Sequence, residues 1–322
     1  MIQPASSTRP SRLRQLVPLA SVLASVATIS LAAGYLTARK ALPSLTQESA
    51  SHALTPSAPA APAGMPAPEN ARSLEISRLT PQQQAEHLLQ RAILHDQASL
   101  DLLRESVDSW RGRLQNTDHL FDLVLTALNS SDLRVRTAAV DVDLAASNLS
   151  KSPQTVARLL RQLPQDPSGR GMTLWRLGSL GNRGVEPEKI LSTLLRYAHY
   201  RSEHTRYWAV EGLAMLGSDA TLDPLLDLLA HDPSPSVRER AACSLAKSGL
   251  FTREQRLAVV PPLLNFADDD SLNSQARELI YGALRTITGA ALGNDPNAWR
   301  TWWAGHDPAR ERPRQRPGML LA

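Results

Sequence analysis

The chain has 322 residues, 42% of them hydrophobic and only 4% aromatic, with a formal charge of +4; it can bury a sizeable core, and its few Trp and Tyr residues are informative where they cluster. The charge divides as +5 over residues 1–45, −1 over 46–79, −2 over 80–304 and +2 over 305–322. A near-neutral central region argues against a nucleic-acid surface, which needs positive charge where it meets phosphate, and the single cysteine, Cys243, excludes an intramolecular disulfide and any multi-cysteine metal site.

Residues 1–14 are a basic tail carrying Arg9, Arg12 and Arg14. Residues 15–38, QLVPLASVLASVATISLAAGYLTA, hold no charge, and Arg39 and Lys40 follow them. As a helix this stretch reaches about 36 Å, enough to span hydrocarbon, so it reads as a transmembrane anchor. A cleavable signal peptide is the rival, since SLA and AAG offer small residues for processing, and a buried helix is the third reading. The greater basic charge before the segment keeps the amino terminus cytoplasmic and sends the rest outward. Residues 39–79 are rich in Pro and Ala and poor in large apolar side chains, which predicts a disordered tether.

From Thr80 the pattern changes to helices. Thr80 is placed as an N-cap with Pro81 at the first helical position, and SLDLLRESVDSWRGRL follows as a less regular second helix. Then a motif recurs. Arg206 aligns with Arg238, and with it Ala209 with Ala241, Leu213 with Leu245 and Gly217 with Gly249; Arg136, Arg170 and Arg277 lead further copies, at spacings of 34, 36, 32 and 39 residues. An apolar helix with Leu at three- and four-residue steps precedes the motif in each of three copies, as in TLDPLLDLLAHDPSPS. A constant helical pattern at unequal spacing predicts stacked helix pairs joined by variable turns. No stretch alternates as a strand. Residues 305–322 read as a loose basic tail.

These residues resemble the HEAT-repeat family, especially its short bacterial form related to phycobilisome-lyase repeats, whose second helix runs Val-Arg-x-x-Ala-Ala-x-x-Leu-x-x-x-Gly as 237–249 do. The resemblance covers residues 80–304, and the ending LRTITGAALGNDPNAWRTWW is similar to the close of membrane-anchored bacterial HEAT proteins. It implies an all-α fold, an α-solenoid of five to six helix pairs behind one transmembrane helix. It also implies a structural Arg ladder between repeats, its guanidinium satisfying turn carbonyls and Asp carboxylates, with Asp132 and Asp166 as local acceptors, and atypical terminal repeats at Arg136 and Arg277. The expected setting is a bacterial inner membrane, with the repeats periplasmic.

No residue group points to catalysis. Asp268, Asp269 and Asp270 lack the ligand spacing of a calcium loop and sit where a capped turn belongs. GSLGNRG, 178–184, ends a helix instead of following a strand, so its glycines read as helix caps. The histidines show no zinc spacing, Cys243 reads as a small packed residue, and no cofactor is implied. The candidate site is a surface. Met172, Trp175, Arg176, Trp208, Glu211, Met215, Arg240 and Lys247 project toward the inner face by 3.6-residue geometry, and apolar area flanked by charge suits a protein or peptide partner. The rival for Trp175 and Trp208 is packing between repeats. Trp299, Trp302 and Trp303 form a stripe that covers the last repeat. The expectation is therefore a membrane-tethered, non-catalytic scaffold with no nucleic acid or small-molecule substrate. The alternative is an enzyme or accessory factor of the phycobilisome-lyase or HEAT-type DNA glycosylase kind.

Overall fold

The computed structural model describes residues 74–306. The proposed anchor at 15–38 and the tail beyond His306 lie outside the described residues, as does the tether up to residue 73. Among the described residues no helix is long and apolar enough to cross a membrane, and no strand occurs. The folded part begins earlier than the sequence suggests: residues 74–77 are helical and Ile76 packs against the first core, so the proposed tether stops short of residue 79.

Six helix pairs follow in chain order. They are α1 (Pro81–Ile93) with α2 (Gln97–Ser106), α3 (Asp118–Leu128) with α4 (Leu133–Ala146), α5 (Pro153–Gln162) with α6 (Arg170–Asn182), and α7 (Pro187–Ala198) with α8 (Glu203–Leu216). Next come α9 (Leu222–His231) with α10 (Pro235–Cys243), then a short α11 (Arg253–Ala258) leading into α12 (Val260–Ala267) with α13 (Ser274–Thr288), and α14 (Pro296–His306) closes the series. The starts are set by local chemistry. Thr80 and Gln83 form a reciprocal capping box at α1; Thr117, Ser152, Ser202, Ser234 and Asn273 accept from the backbone three residues on; and prolines occupy first-turn positions of α1, α5, α7 and α10.

Second helices stack on one another, α8 on α6, α10 on α8 and α13 on α10, while α1 and α3 pack as neighbouring first helices. Each pair thus buries its apolar face against adjacent pairs, which is how a repeat too small to have its own core becomes stable. Two cores meet at α4: Val135, Ala139 and Val142 belong to the first, Val140 and Leu144 to the second. Helices α6 and α8 meet backbone to backbone, where a Cβ at Gly178 would fall on the carbonyl of Gly212, 2.8 Å from its carbon. Gly178 and Gly181 are therefore interior packing positions instead of the caps expected from GSLGNRG; Gly184, at φ +78°, supplies the turn. Gly217 and Gly289 do end helices in the left-handed region. Gly249 does not, because α10 runs out through a π turn, Ser244–Ser248, and the chain is held by Leu250 N–H donating to the Ala214 carbonyl at 2.9 Å.

Candidate functional site

Four of the five repeat arginines share one contact. Arg136, Arg206 and Arg238 each use Nη1 to donate to the carbonyl six residues back, Ser130, Tyr200 and Asp232, at 2.7, 3.1 and 2.7 Å. Arg170 uses Nε on the carbonyl seven back, Leu163, at 3.0 Å. Those carbonyls terminate the first helix of each pair, so the arginine satisfies acceptors that the helix leaves open and places positive charge at its negative end. Two arginines also bridge repeats. Arg206 grips Asp232 with Nε and Nη2 at 2.8 and 2.9 Å, and Arg238 Nη2 reaches Gln275 Oε1 on α13 at 2.9 Å.

Three expectations about the ladder are corrected. Asp132 does not serve Arg136: its carboxylate accepts from the Arg134 side chain and backbone, which hold it down to about 2. Asp166 accepts from Gly169 N–H and has no bond to Arg170. The Arg136 repeat is not terminal, because α1 and α2 precede it and Arg136 is as buried as Arg238. Arg277 does behave as a terminal member, half-exposed, its ion pair among the described residues being a long one to Asp270 at 3.5 Å.

The eight candidate surface residues separate into two sets. Trp175, Glu211 and Met215 are 8%, 8% and 3% exposed, so they pack inside the stack and are not presented at the surface as expected. Met172 is exposed, Lys247 is exposed, and Trp208, Arg176 and Arg240 are half-buried. Two of the charged members, Glu211 and Arg240, face each other across repeats. Arg240 Nε lies 2.6 Å from Glu211 Oε1 and Nη2 donates to Oε2 at 3.0 Å; burial pushes the Glu211 carboxyl up, opposed by the Arg240 charge. Arg176 donates to Ser147 Oγ at 2.8 Å and faces Asp143, whose carboxyl burial pushes up. Neither acid stood out in the sequence, although Asp143 stands seven residues after Arg136, where Leu177, Leu213 and Leu245 follow their arginines.

Met172, Trp208 and Arg240 each stand two residues after the repeat arginine, which puts them at one register in three successive second helices. The Trp208 indole lies across α6, where a Cβ on Gly171 would meet it at 2.6 Å, and Tyr207 and His204 stand edge-on to it, both at 6.3 Å. At the far end Trp299 is fully buried and donates Nε1–H to the Gly293 carbonyl at 2.8 Å, while Trp302 and Trp303 pack partly on the core, as a terminal cover should. The triple aspartate is a turn tied internally: Asp268 pairs with Arg300, Asp269 accepts from Ser271 N–H, and Asn273, not an aspartate, caps α13. Among the described residues no His, Cys, Asp and Glu group is placed to hold a metal, and Cys243 is a half-buried free thiol.

No curated protein matches the chain. A family model described as HEAT repeats matches residues 153–246, which holds the Arg170, Arg206 and Arg238 copies. The same arginine-to-carbonyl contact extends upstream of that segment to Arg136, and residues 153–246 are HEAT repeats.

Proposed function

We propose that this chain is a non-catalytic scaffold, held at a bacterial inner membrane by residues 15–38, whose periplasmic repeats curve into a solenoid and bind a protein or peptide on the inner face. The observation that carries the reading is the aligned row Met172, Trp208 and Arg240. Interaction through a long repeated surface is what HEAT repeats commonly provide, and this row offers apolar and aromatic area bordered by Arg176 and Lys247. The buried Trp175, Glu211 and Met215 support the row from beneath and make no partner contact of their own.

The test uses full-length protein in its membrane. A photo-crosslinking residue at Met172 or Lys247 captures a discrete partner that one at Phe121, exposed on the first helix α3, does not. Trp208→Ala weakens that partner by at least about 1 kcal/mol while helicity and melting persist. Equal capture from both faces, or unaltered binding by the variant, overturns the assignment. Retention after carbonate washing supports the anchor; a mature amino terminus between Ala32 and Ala41 replaces it with a cleaved signal.

A further inference from the structure

The net charge of −2 over residues 80–304 is an average of unlike parts. Residues 151–206 hold ten Lys and Arg against four Asp and Glu, whereas 80–150 hold six against ten and 207–304 hold eight against twelve. The basic charge is concentrated in two successive repeats. Of those ten cations, Lys151, Arg183, Lys189 and Arg206 are ion-paired and Arg176 faces Asp143. Arg158, Arg161, Arg170, Arg196 and Arg201 have no carboxylate partner within salt-bridge distance among the described residues.

Three of these five converge on one edge, where first helices end. The Arg170 guanidinium lies 5.9 and 5.4 Å from the Tyr197 and Tyr200 rings, and Arg196 lies 5.4 Å from Tyr197. The two tyrosines are 5.5 Å apart. Tyr200 continues into a cleft of about 350 Å³, whose wall includes His199, Arg201 and His231 above an apolar floor of Ala198 and Leu228. Its carboxylates are occupied: Asp232 by Arg206, Asp227 by His231 Nδ1 at 3.0 Å. Arg196, His199 and Arg201 are exposed.

We infer that this edge is a second docking site, taking an acidic peptide segment of a protein partner: carboxylates meet Arg196 and Arg201, and a neighbouring apolar side chain enters the cleft beside Tyr200. Tyr and Arg in a concave site are the residue types that concentrate binding energy, and opposite charge steers the encounter. A polyphosphate fits less well. The apolar lining of Ala198 and Leu228 gives a polyphosphate nothing to bind, and the unpaired cations stand on one edge of two repeats, short of the continuous stripe that a nucleic-acid backbone requires. A lipid surface is flat where this site is hollow.

The experiment titrates full-length protein in neutral detergent with a fluorescein-labelled twelve-residue peptide of alternating Glu and Leu. Wild type binds, binding falls with added salt, and the double substitution Arg196→Gln with Arg201→Gln weakens it about tenfold. A charge-matched control, Arg104→Gln with Arg253→Gln, leaves affinity unchanged, and both doubles retain wild-type helicity and melting because all four side chains are exposed. Absence of peptide binding by wild type, or equal loss in the two doubles, overturns the proposal. So does tighter binding of duplex DNA or phosphatidylglycerol vesicles that the same double abolishes, which identifies a polyanion site, or peptide-competed self-association, which identifies a second copy as the occupant.

Discussion

Gly178→Ala sets two opposed effects against each other. Inside an exposed helix the change gains about 1 kcal/mol from helix propensity. Here the added methyl falls on the Gly212 backbone, 2.8 Å from its carbonyl carbon and 3.0 Å from its Cα, while reciprocally a Cβ on Gly212 would stand 2.7 Å from the Leu174 carbonyl oxygen. No side chain can rotate away, so α6 and α8 must separate and loosen Leu174, Leu177 and Leu213 with them, all fully buried. Overpacking of this kind costs typically 1–3 kcal/mol and more where backbone must move, so a net loss of about 2 kcal/mol is expected after the propensity gain. Gly282→Ala is the control: it lies inside α13 with open space around its Cβ position, and it stabilises by about 0.5–1 kcal/mol. Urea titration followed by circular dichroism reads both, with the slope checked because a repeat array can lose two-state behaviour. A Gly178→Ala midpoint at or above wild type refutes the close contact.

Arg238→Ala strands the Asp232 carbonyl and Gln275 Oε1 and costs about 1–3 kcal/mol, while Arg277→Ala, at the half-exposed terminal position, stays within about 0.5 kcal/mol; equal denaturation midpoints for the two remove the ladder argument. Asp132 titrates at about 2 because Arg134 hydrogen-bonds its carboxylate, against the opposing effect of burial. A folded value below the ordinary 3.8 stabilises at pH above about 4, and that stability is lost as pH falls toward 2. The stability gap between wild type and Asp132→Asn is therefore constant from pH 5 to 7 and narrows between 4 and 2. A gap that stays flat in acid shows that the carboxylate is not held by its charge.

What the sequence made legible was periodic and local: the arginine register, the Thr80 and Pro81 start, the covering role of Trp299. These features depend on neighbours a few residues apart, which spacing records directly. What it hid depended on which side chain reaches across a turn. Asp132 lies four residues before Arg136 and two before Arg134, and spacing cannot rank them; the N-cap geometry at Asp132 turns its carboxylate toward the α4 start, where Arg134 meets it. Gly178 and Gly181 looked like caps because glycine ends helices often, yet the approach of α8 requires them, and Gly212, which Gly178 meets, is 34 residues away in sequence. Averaging charge over 80–304 erased the basic repeats for the same reason: a sum over the chain carries no information about where the stack brings charges together.

The Glu211 and Arg240 ion pair connects the fold to the proposed surface. An interface of leucines and alanines can be satisfied in more than one register, since one apolar contact replaces another when a helix slides. The Glu211 and Arg240 pair cannot be so replaced. Sliding α10 past α8 by one turn, about 5.4 Å, would leave both charges buried and apart, which costs several kcal/mol. Arg183 imposes a like condition between α4 and the end of α6, with Nη2 donating to the Thr137 carbonyl at 2.7 Å and Nε paired with Asp141 at 3.1 Å. The accessible side chains ride on those fixed helices. Met172, Trp208 and Arg240 keep one register because Gly178 seats α6 against Gly212 of α8 and Glu211 holds Arg240 on α10, and under the proposed reading the buried Trp175, Glu211 and Met215 frame that row.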